Sequence, residues 1–367
     1  MKKIFILCLS ISLLLASCSN KRKSTETENL KPKNIVLLIG DGMGLAQIHA
    51  AMTVNHGNLN MLTFPVVGLQ KTSSADKYIT DSAAGATALA TGKKTKNGYL
   101  GLDSAKNVLK TILEYAEDKG LSTGLVATST IVHATPAGFI AHEPSRNLYD
   151  NIALDFLKTD IDVFIGGGSK YFNHRKDSLN LFDSLKQRGY GVFTSLTDPG
   201  IKKYDKIAAL TAADHNKKMI EGRGNYLSEA AEIALEKLSK NKKGFFLMIE
   251  GSFIDKACHA NDTAYLITET LDFDKVVGIV KKFAEKNEET LVIVTADHET
   301  SGLSIYNGDY TKGKVEVTFA KKGNVTASHT AIMVPAFAYG PGANSFSGVY
   351  KNTEIFEKMK SLLIGER

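Results

Sequence analysis

"NIVLLIGDGMG", residues 34–44, begins with an aliphatic run from Ile35 to Ile39 and closes on a glycine-rich turn around Asp41. A run with no polar alternation reads as a strand covered on both faces, the pattern of a parallel sheet rather than of a sheet with one wet side. Similar runs follow at residues 123–129, 163–168, 244–251, 290–297 and 333–340, and all are expected to be buried parallel strands. Between them the pattern turns helical. In residues 107–120, Val108, Leu109, Ile112, Leu113 and Ala116 form one face and Gly120 supplies the stop. Strand and helix in alternation specify an α/β fold, a three-layer sandwich whose mostly parallel central sheet is flanked by helices.

Sheets of this class bind ligands beyond the carboxyl ends of their strands, and the residues at those ends are unusual. Asp41 follows the first run, Glu250 closes the fourth, and Asp297 and His298 close the fifth. Asp255 and His259 stand four residues apart just after Glu250, a spacing that puts both on one face of a helix. His329 precedes the last run. Singly, each has an ordinary explanation: Asp41 in "GDGMG" suits a turn, and a strand-end Asp or His is usually a satisfied polar group. Together they are four carboxylates and three imidazoles on one rim. Clustered carboxylates raise one another's pKa unless cations neutralise them, so the rim implies metal. Gly40 to Gly44 is not a dinucleotide loop, which requires G-x-G-x-x-G and a later acidic residue.

A single serine, Ser82, lies in "YITDSAAGATALATGKKTKNG", residues 78–98, among alanines, glycines and threonines. By itself this stretch reads as a helix N-terminus capped by Thr80 or Asp81, with small residues for close packing. The other reading is a nucleophile left room for a substrate and metal ions.

The chain has 367 residues, enough for one large α/β domain over residues 34–367. Residues 1–18 carry Lys2 and Lys3, an apolar run from Ile4 to Leu15 and a small-residue end, an export signal too short to span a membrane. Its terminus, Leu15-Ala16-Ser17-Cys18, resembles the lipobox of bacterial lipoproteins, so Cys18 is expected to be lipidated and to anchor an exported, periplasmic or cell-surface protein. Residues 19–33, polar and charged, read as a flexible tether. Loss of Lys2 and Lys3 lowers the formal charge of +6 by two, too weak a basic excess for nucleic-acid binding. With Cys8 removed and Cys18 lipidated, Cys258 is left alone as a packed thiol, and no disulfide framework forms.

"IVLLIGDGMG", "TDSAAGATALATGKKTKNGYLG", "HATPAGFIAHEPSR", "EGSFIDKACHAND", "VTADHE" and "SHT" occur in the order of the alkaline phosphatase family, and the resemblance spans residues 34 to about 340. It implies metal-dependent hydrolysis of small-molecule phosphate monoesters through a phosphoserine at Ser82, with two zinc ions and one magnesium. By this resemblance Asp255, His259 and His329 are ligands of one zinc, and Asp41, Asp297 and His298, with Ser82, of the other. Asp41 extends to a third, magnesium-type site completed by Thr135 and Glu250. Imidazole with carboxylate suits zinc, and oxygen donors suit magnesium. Arg146 resembles the arginine that grips two phosphate oxygens, and Lys256 a lysine near the phosphate. A homodimer is an assembly the resemblance admits.

Three features depart from the best-known bacterial members. His133 stands where many have aspartate, which tilts the third site toward zinc; residues 299–328 make a short lid, implying an open pocket; and disulfides are absent. The rival readings are a phosphodiesterase or phosphonate hydrolase with the same core, and a non-catalytic lipoprotein that binds phosphate or metal. Arg146 and Lys256 favour a monoester, since they complement the extra charge of a terminal phosphate. No ligand type is lost, which disfavours the non-catalytic reading. A sulfatase is disfavoured because residues 82–86 lack the proline and arginine that direct formylglycine formation.

Overall fold

The computed structural model describes residues 31–320 and 328–365. The expected signal with Cys18, and the tether up to residue 30, lie outside the described residues. The strands are β1 Asn34–Gly40, β2 Val66–Lys71, β3 Ser122–Thr130, β4 Val163–Gly167, β5 Gly191–Phe193, β6 Ile207–Leu210 and β7 Phe245–Gly251. They continue as β8 Thr290–Thr295, β9 Glu299–Thr300, β10 Ser304–Asp309, β11 Lys314–Thr318, β12 His329–Thr330, β13 Val334–Tyr339 and β14 Gly348–Lys351. Ten of them form one sheet in the order β14-β2-β13-β8-β1-β7-β3-β4-β6-β5, and β9/β12 and β10/β11 make two small antiparallel pairs.

The opening stretch shows why the sheet has two covered faces. Along β1, Ile35, Leu37 and Ile39 enter one core while Val36 and Leu38 enter the other, and all five are fully buried. Each such side chain contributes about 1.5–3 kcal/mol by leaving water. The first core is roofed by the helices Ser82–Thr91, Ile112–Asp118 and Thr353–Ile364, and the second by Leu45–Val54, Tyr226–Leu238, Phe253–His259 and Thr263–Asn287. Ser82 and the Asp255/His259 pair therefore approach the sheet rim from opposite layers.

Two expectations need correction. Residues 333–340 do form a buried strand, but β13 runs antiparallel to both neighbours, β2 and β8. An apolar run records burial and not direction. The helix expected over 107–120 begins only at Ile112, because Thr111 and Glu114 form a capping box: Thr111 N–H donates to Glu114 Oε2 at 2.8 Å and Glu114 N–H to Thr111 Oγ1 at 3.2 Å. Val108 instead bridges Leu102 in extended form and is 66% exposed. Among the described residues no helix is long and apolar enough to cross a membrane.

Candidate active site

β8, β1, β7 and β3 are consecutive in the sheet, and Ile39 lies opposite both Glu250 and Thr295, so their carboxyl ends are level. Asp41, Glu250, Asp297, His298, His133 and Thr135 are all carried at or just beyond these ends. Gly42, at φ +73°, makes the turn after Asp41 and lets other chains come close: a Cβ there would meet Thr300 Oγ1 at 2.7 Å and the Asp255 Cα at 2.9 Å.

The ligand-type residues form three groups whose donor atoms lie within 4.8 Å of one another: Asp255, His259 and His329; Asp41, Asp297 and His298; and Asp41, His133 and Glu250. In the first, the one-face spacing is realised on the Phe253–His259 helix. Asp255 Oδ1 stands 3.3 Å from His259 Nε2 and 3.5 Å from His329 Nε2, and the two Nε2 atoms are 3.2 Å apart. His329 Nδ1 donates to the Thr80 carbonyl at 3.0 Å, which turns Nε2 toward Asp255 and His259. In the second group His298 Nε2 is 3.2 Å from Asp297 Oδ2 and 3.5 Å from Asp41 Oδ1. The third is oxygen-rich apart from His133, and the Thr135 hydroxyl faces its Glu250.

These groups need a cation. Both Asp41 oxygens, Asp297 Oδ2, Glu250 Oε1 and His133 Nδ1 are buried and take part in no hydrogen bond. Each such orphan costs about 1–3 kcal/mol in a dry interior. Burial first, then the facing carboxylates, push Asp41 well above the usual carboxylate range, Glu250 up to about 7 and Asp297 up to about 6. Burial and the charges of Arg146 and Lys256 hold His133 well below the usual imidazole value. Oxygen and imidazole donors in this arrangement fit divalent metal ions.

Ser82 is the first residue of the Ser82–Thr91 helix, whose N-terminus is capped as expected, by Asp81 and not Thr80. Asp81 caps the helix, accepting from Ala84 N–H at 2.9 Å. All ten helix residues are buried, and a Cβ on Gly85 would stand 3.1 Å from the Asp297 Cβ. The small residues thus let the helix lie against the loop that carries Asp297 and His298, while Ser82 Oγ is 3.2 Å from His298 Nε2. Arg146 Nη1 donates to Asp81 Oδ2 at 3.1 Å, and Lys256 on the Phe253–His259 helix lies in the field of Asp41 and Glu250.

A family model described as alkaline phosphatase matches residues 32–327. The chain belongs to the alkaline phosphatase family. As such it is a phosphomonoester hydrolase that uses metal ions. It is 34% identical to alkaline phosphatase 4 of Bacillus subtilis over 94% of this chain and 92% of that one. The alkaline phosphatase of the Antarctic bacterium TAB5 superposes with a TM-score of 0.85 at 42% identity, over 91% of this chain and 98% of that chain. A variant of that enzyme with a histidine changed to aspartate has been solved with magnesium in a site called M3, and superposes with a TM-score of 0.86, again at 42% identity over 91% and 98% of the two chains.

The structure also brings in residues that sequence reasoning missed. Asp81, read only as a cap, also accepts from Gly98 N–H at 3.0 Å and orients Arg146. The Thr300 hydroxyl donates to Asp255 Oδ1 and lies 3.2 Å from His298 Nδ1, so it touches one residue of each of the first two groups. Since it donates to Asp255, it accepts from His298 Nδ1–H, which leaves Nε2 unprotonated and aimed at Asp41, Asp297 and Ser82. Gln47 ties the same region together, donating to Glu299 Oε1 and the Thr300 carbonyl, both at 2.7 Å, and contacting the buried Cys258 sulfur. Thr300 follows the "ADHE" motif directly, but a lone threonine carries no metal-ligand signal.

Proposed function

We propose that the protein hydrolyses phosphate monoesters through a phosphoserine at Ser82, with zinc held by Asp255, His259 and His329 and by Asp41, Asp297 and His298, and a magnesium-type ion held by Asp41, Thr135 and Glu250. The observation that carries this is the set of orphaned donors around Ser82 at four adjacent strand ends. When bound, the metal ions supply positive charge that lowers the pKa of hydroxyls they touch and offsets charge on the phosphoryl oxygens. Arg146, held by Asp81, grips two oxygens of the phosphoryl group through its guanidinium fork. Lys256 adds a cation in the field of Asp41 and Glu250. Ser82 Oγ gives its proton to solvent and attacks phosphorus in line, and the ester oxygen leaves opposite and takes up a proton from solvent as the free alcohol. The N-terminus of the ten-residue Ser82–Thr91 helix favours the negative charge that gathers there. Water then attacks phosphorus from the vacated side, breaking the P–O bond to Ser82 and releasing inorganic phosphate.

Two cations beside the nucleophile, Arg146 and Lys256, complement the dianion of a monoester better than the monoanion of a diester. Initial rates on an aryl phosphate and its diester, with and without a chelator, test the reading. Fast chelator-sensitive turnover of the monoester alone supports it, and a preference for the diester refutes it. Export through the residue 1–18 signal and lipidation at Cys18 belong to the same proposal; lipid label that persists in Cys18→Ser refutes them.

A further inference from the structure

Immediately after Arg146 the chain runs along a cavity of about 500 Å³, one wall of which is residues 147–151 and the other Lys170, Tyr171, His174 and Lys176. Tyr149 on one wall and Tyr171 on the other face each other, ring centroids 4.9 Å apart and tilted by 44°. Tyr149 is close enough to Arg146 to act on its charge. Behind Tyr171, Asp214 binds Lys170 Nζ at 2.6 Å and accepts from the Tyr171 hydroxyl at 3.4 Å. The next residue, His215, takes the Thr130 N–H at 3.1 Å and sets its ring 5.7 Å from that of His133. The cavity lining thus begins at Asn147, the residue after Arg146, and its Tyr171 wall is tied through Asp214 to the segment that carries His215.

The walls are fixed in place. Arg175, with a side chain only 1% exposed, donates from Nη1 to the Asp150 carbonyl at 2.6 Å and to the Tyr171 carbonyl at 3.0 Å, binding one wall to the other, while Asp177 holds the rest of its guanidinium. A buried arginine spent on two backbone carbonyls keeps the cavity open and its aromatic lining aligned before anything enters, which limits the ordering cost of binding. Half-buried aromatic rings beside a phosphate clamp match the alcohol portion of a substrate that carries a flat ring.

We propose that Tyr149 and Tyr171 form a subsite for a planar aromatic or heteroaromatic group on the leaving alcohol, so that among phosphate monoesters those of ring-bearing alcohols are preferred. The proposal rests on the phosphomonoesterase reading above. A base stacked on a protein aromatic ring changes binding by about 5- to 150-fold. The Asn147 amide, beside the clamp, supplies polar contacts for ring edges, and Lys176 a cation at the rim.

The experiment compares adenosine 5′-monophosphate with glycerol phosphate, both esters of alkyl alcohols, in the metal-loaded full chain. Leucine at each tyrosine keeps apolar packing and removes the ring; Tyr171→Phe keeps the ring and removes only the bond to Asp214. Tyr149→Leu and Tyr171→Leu should raise KM for the nucleotide about tenfold with little change in kcat, while glycerol phosphate kcat/KM and inhibition by inorganic phosphate move by less than about threefold. Tyr171→Phe should restore nucleotide KM. Equal losses on both esters, or no loss on the nucleotide, would overturn the subsite alone. A wild-type protein that turned over neither ester would overturn the phosphomonoesterase reading and the subsite with it.

Discussion

Ser82 Oγ lies 3.2 Å from His298 Nε2, a separation that in isolation describes a serine with its histidine base. The other side of the ring argues against that role. Nδ1 of His298 faces the Thr300 hydroxyl and no carboxylate, while Nε2 faces Asp41 and Asp297 as well as Ser82. A lone pair pointed at two carboxylates and a hydroxyl is placed to share a cation with them. On the function proposed above, metal and not this histidine activates the serine, and the histidine serves as a ligand.

Thr300→Val should therefore loosen metal binding without touching the nucleophile. Removing an outer partner of a metal ligand typically lowers metal affinity about 10- to 100-fold. Titration of zinc against a competing chelator should show this loss, and Thr300→Ser should regain most of it. Wild-type zinc affinity in the valine variant would remove Thr300 from the account.

Arg146→Ala should weaken inhibition by inorganic phosphate by about 1.5–3 kcal/mol, the usual worth of a hydrogen bond to a charged group. Asp81→Asn should weaken it less, because the amide oxygen can keep the helix cap and Arg146 remains present as a cation, though without its Oδ2 acceptor. Inhibition constants for phosphate measure both. Unchanged inhibition in Arg146→Ala would mean that another group holds the phosphate.

His133 is expected to bias which ion the third group prefers. Its Nδ1 is buried without a hydrogen bond beside Asp41 and Glu250, and a nitrogen donor there favours zinc over magnesium. Magnesium added to the purified enzyme should activate it slowly, as the resident ion leaves. His133→Asp should bind magnesium more readily and lose the slow phase. Metal analysis showing magnesium alone in both forms, with no slow phase, would contradict it.

Far from the metal groups, Glu117 accepts from Thr123 Oγ1 at 3.1 Å, and burial pushes its carboxyl up to about 7. The folded state thus holds this proton more tightly than the unfolded chain. Stability from this group is full below the unfolded value near 4.5 and is lost as pH rises through about 7. Glu117→Gln, which cannot ionise, should raise the Tm at pH 8 and lose that advantage below about pH 4.5. A gain of the same size at both pH values would mean that packing, and not titration, is responsible.

Much of this was legible in the sequence, for physical reasons that also explain the omissions. The strands beneath the site are apolar on both faces, so their ends could be located and the acids and imidazoles beyond them noticed. β2 and β14 were not legible: at the sheet edge, β2 alternates buried with exposed or half-buried residues, and β14 is short and mostly exposed. The direction of β13 depends on its neighbours, and Pro335, which has no N–H to donate, lies outside the residues of β13 paired with β8, where the Thr295 hydroxyl donates to its carbonyl. Val108 sat in phase with a helical stripe, yet the Thr111-x-x-Glu114 box outweighed periodicity. Asp81, Thr300 and Tyr171 act through residues distant in the chain, Arg146, Asp255 and Asp214, and no local pattern announces such partners.

The central claim is that Ser82 becomes phosphorylated in a metal-dependent step. Mixing metal-loaded protein with a labelled phosphate monoester, quenching in acid and mapping the label tests it most directly. Label on Ser82, absent from chelated protein and from Ser82→Ala, with a fall in turnover of at least about 10³-fold in that variant, is the result expected. Label on another residue, or undiminished turnover in Ser82→Ala, would contradict the account.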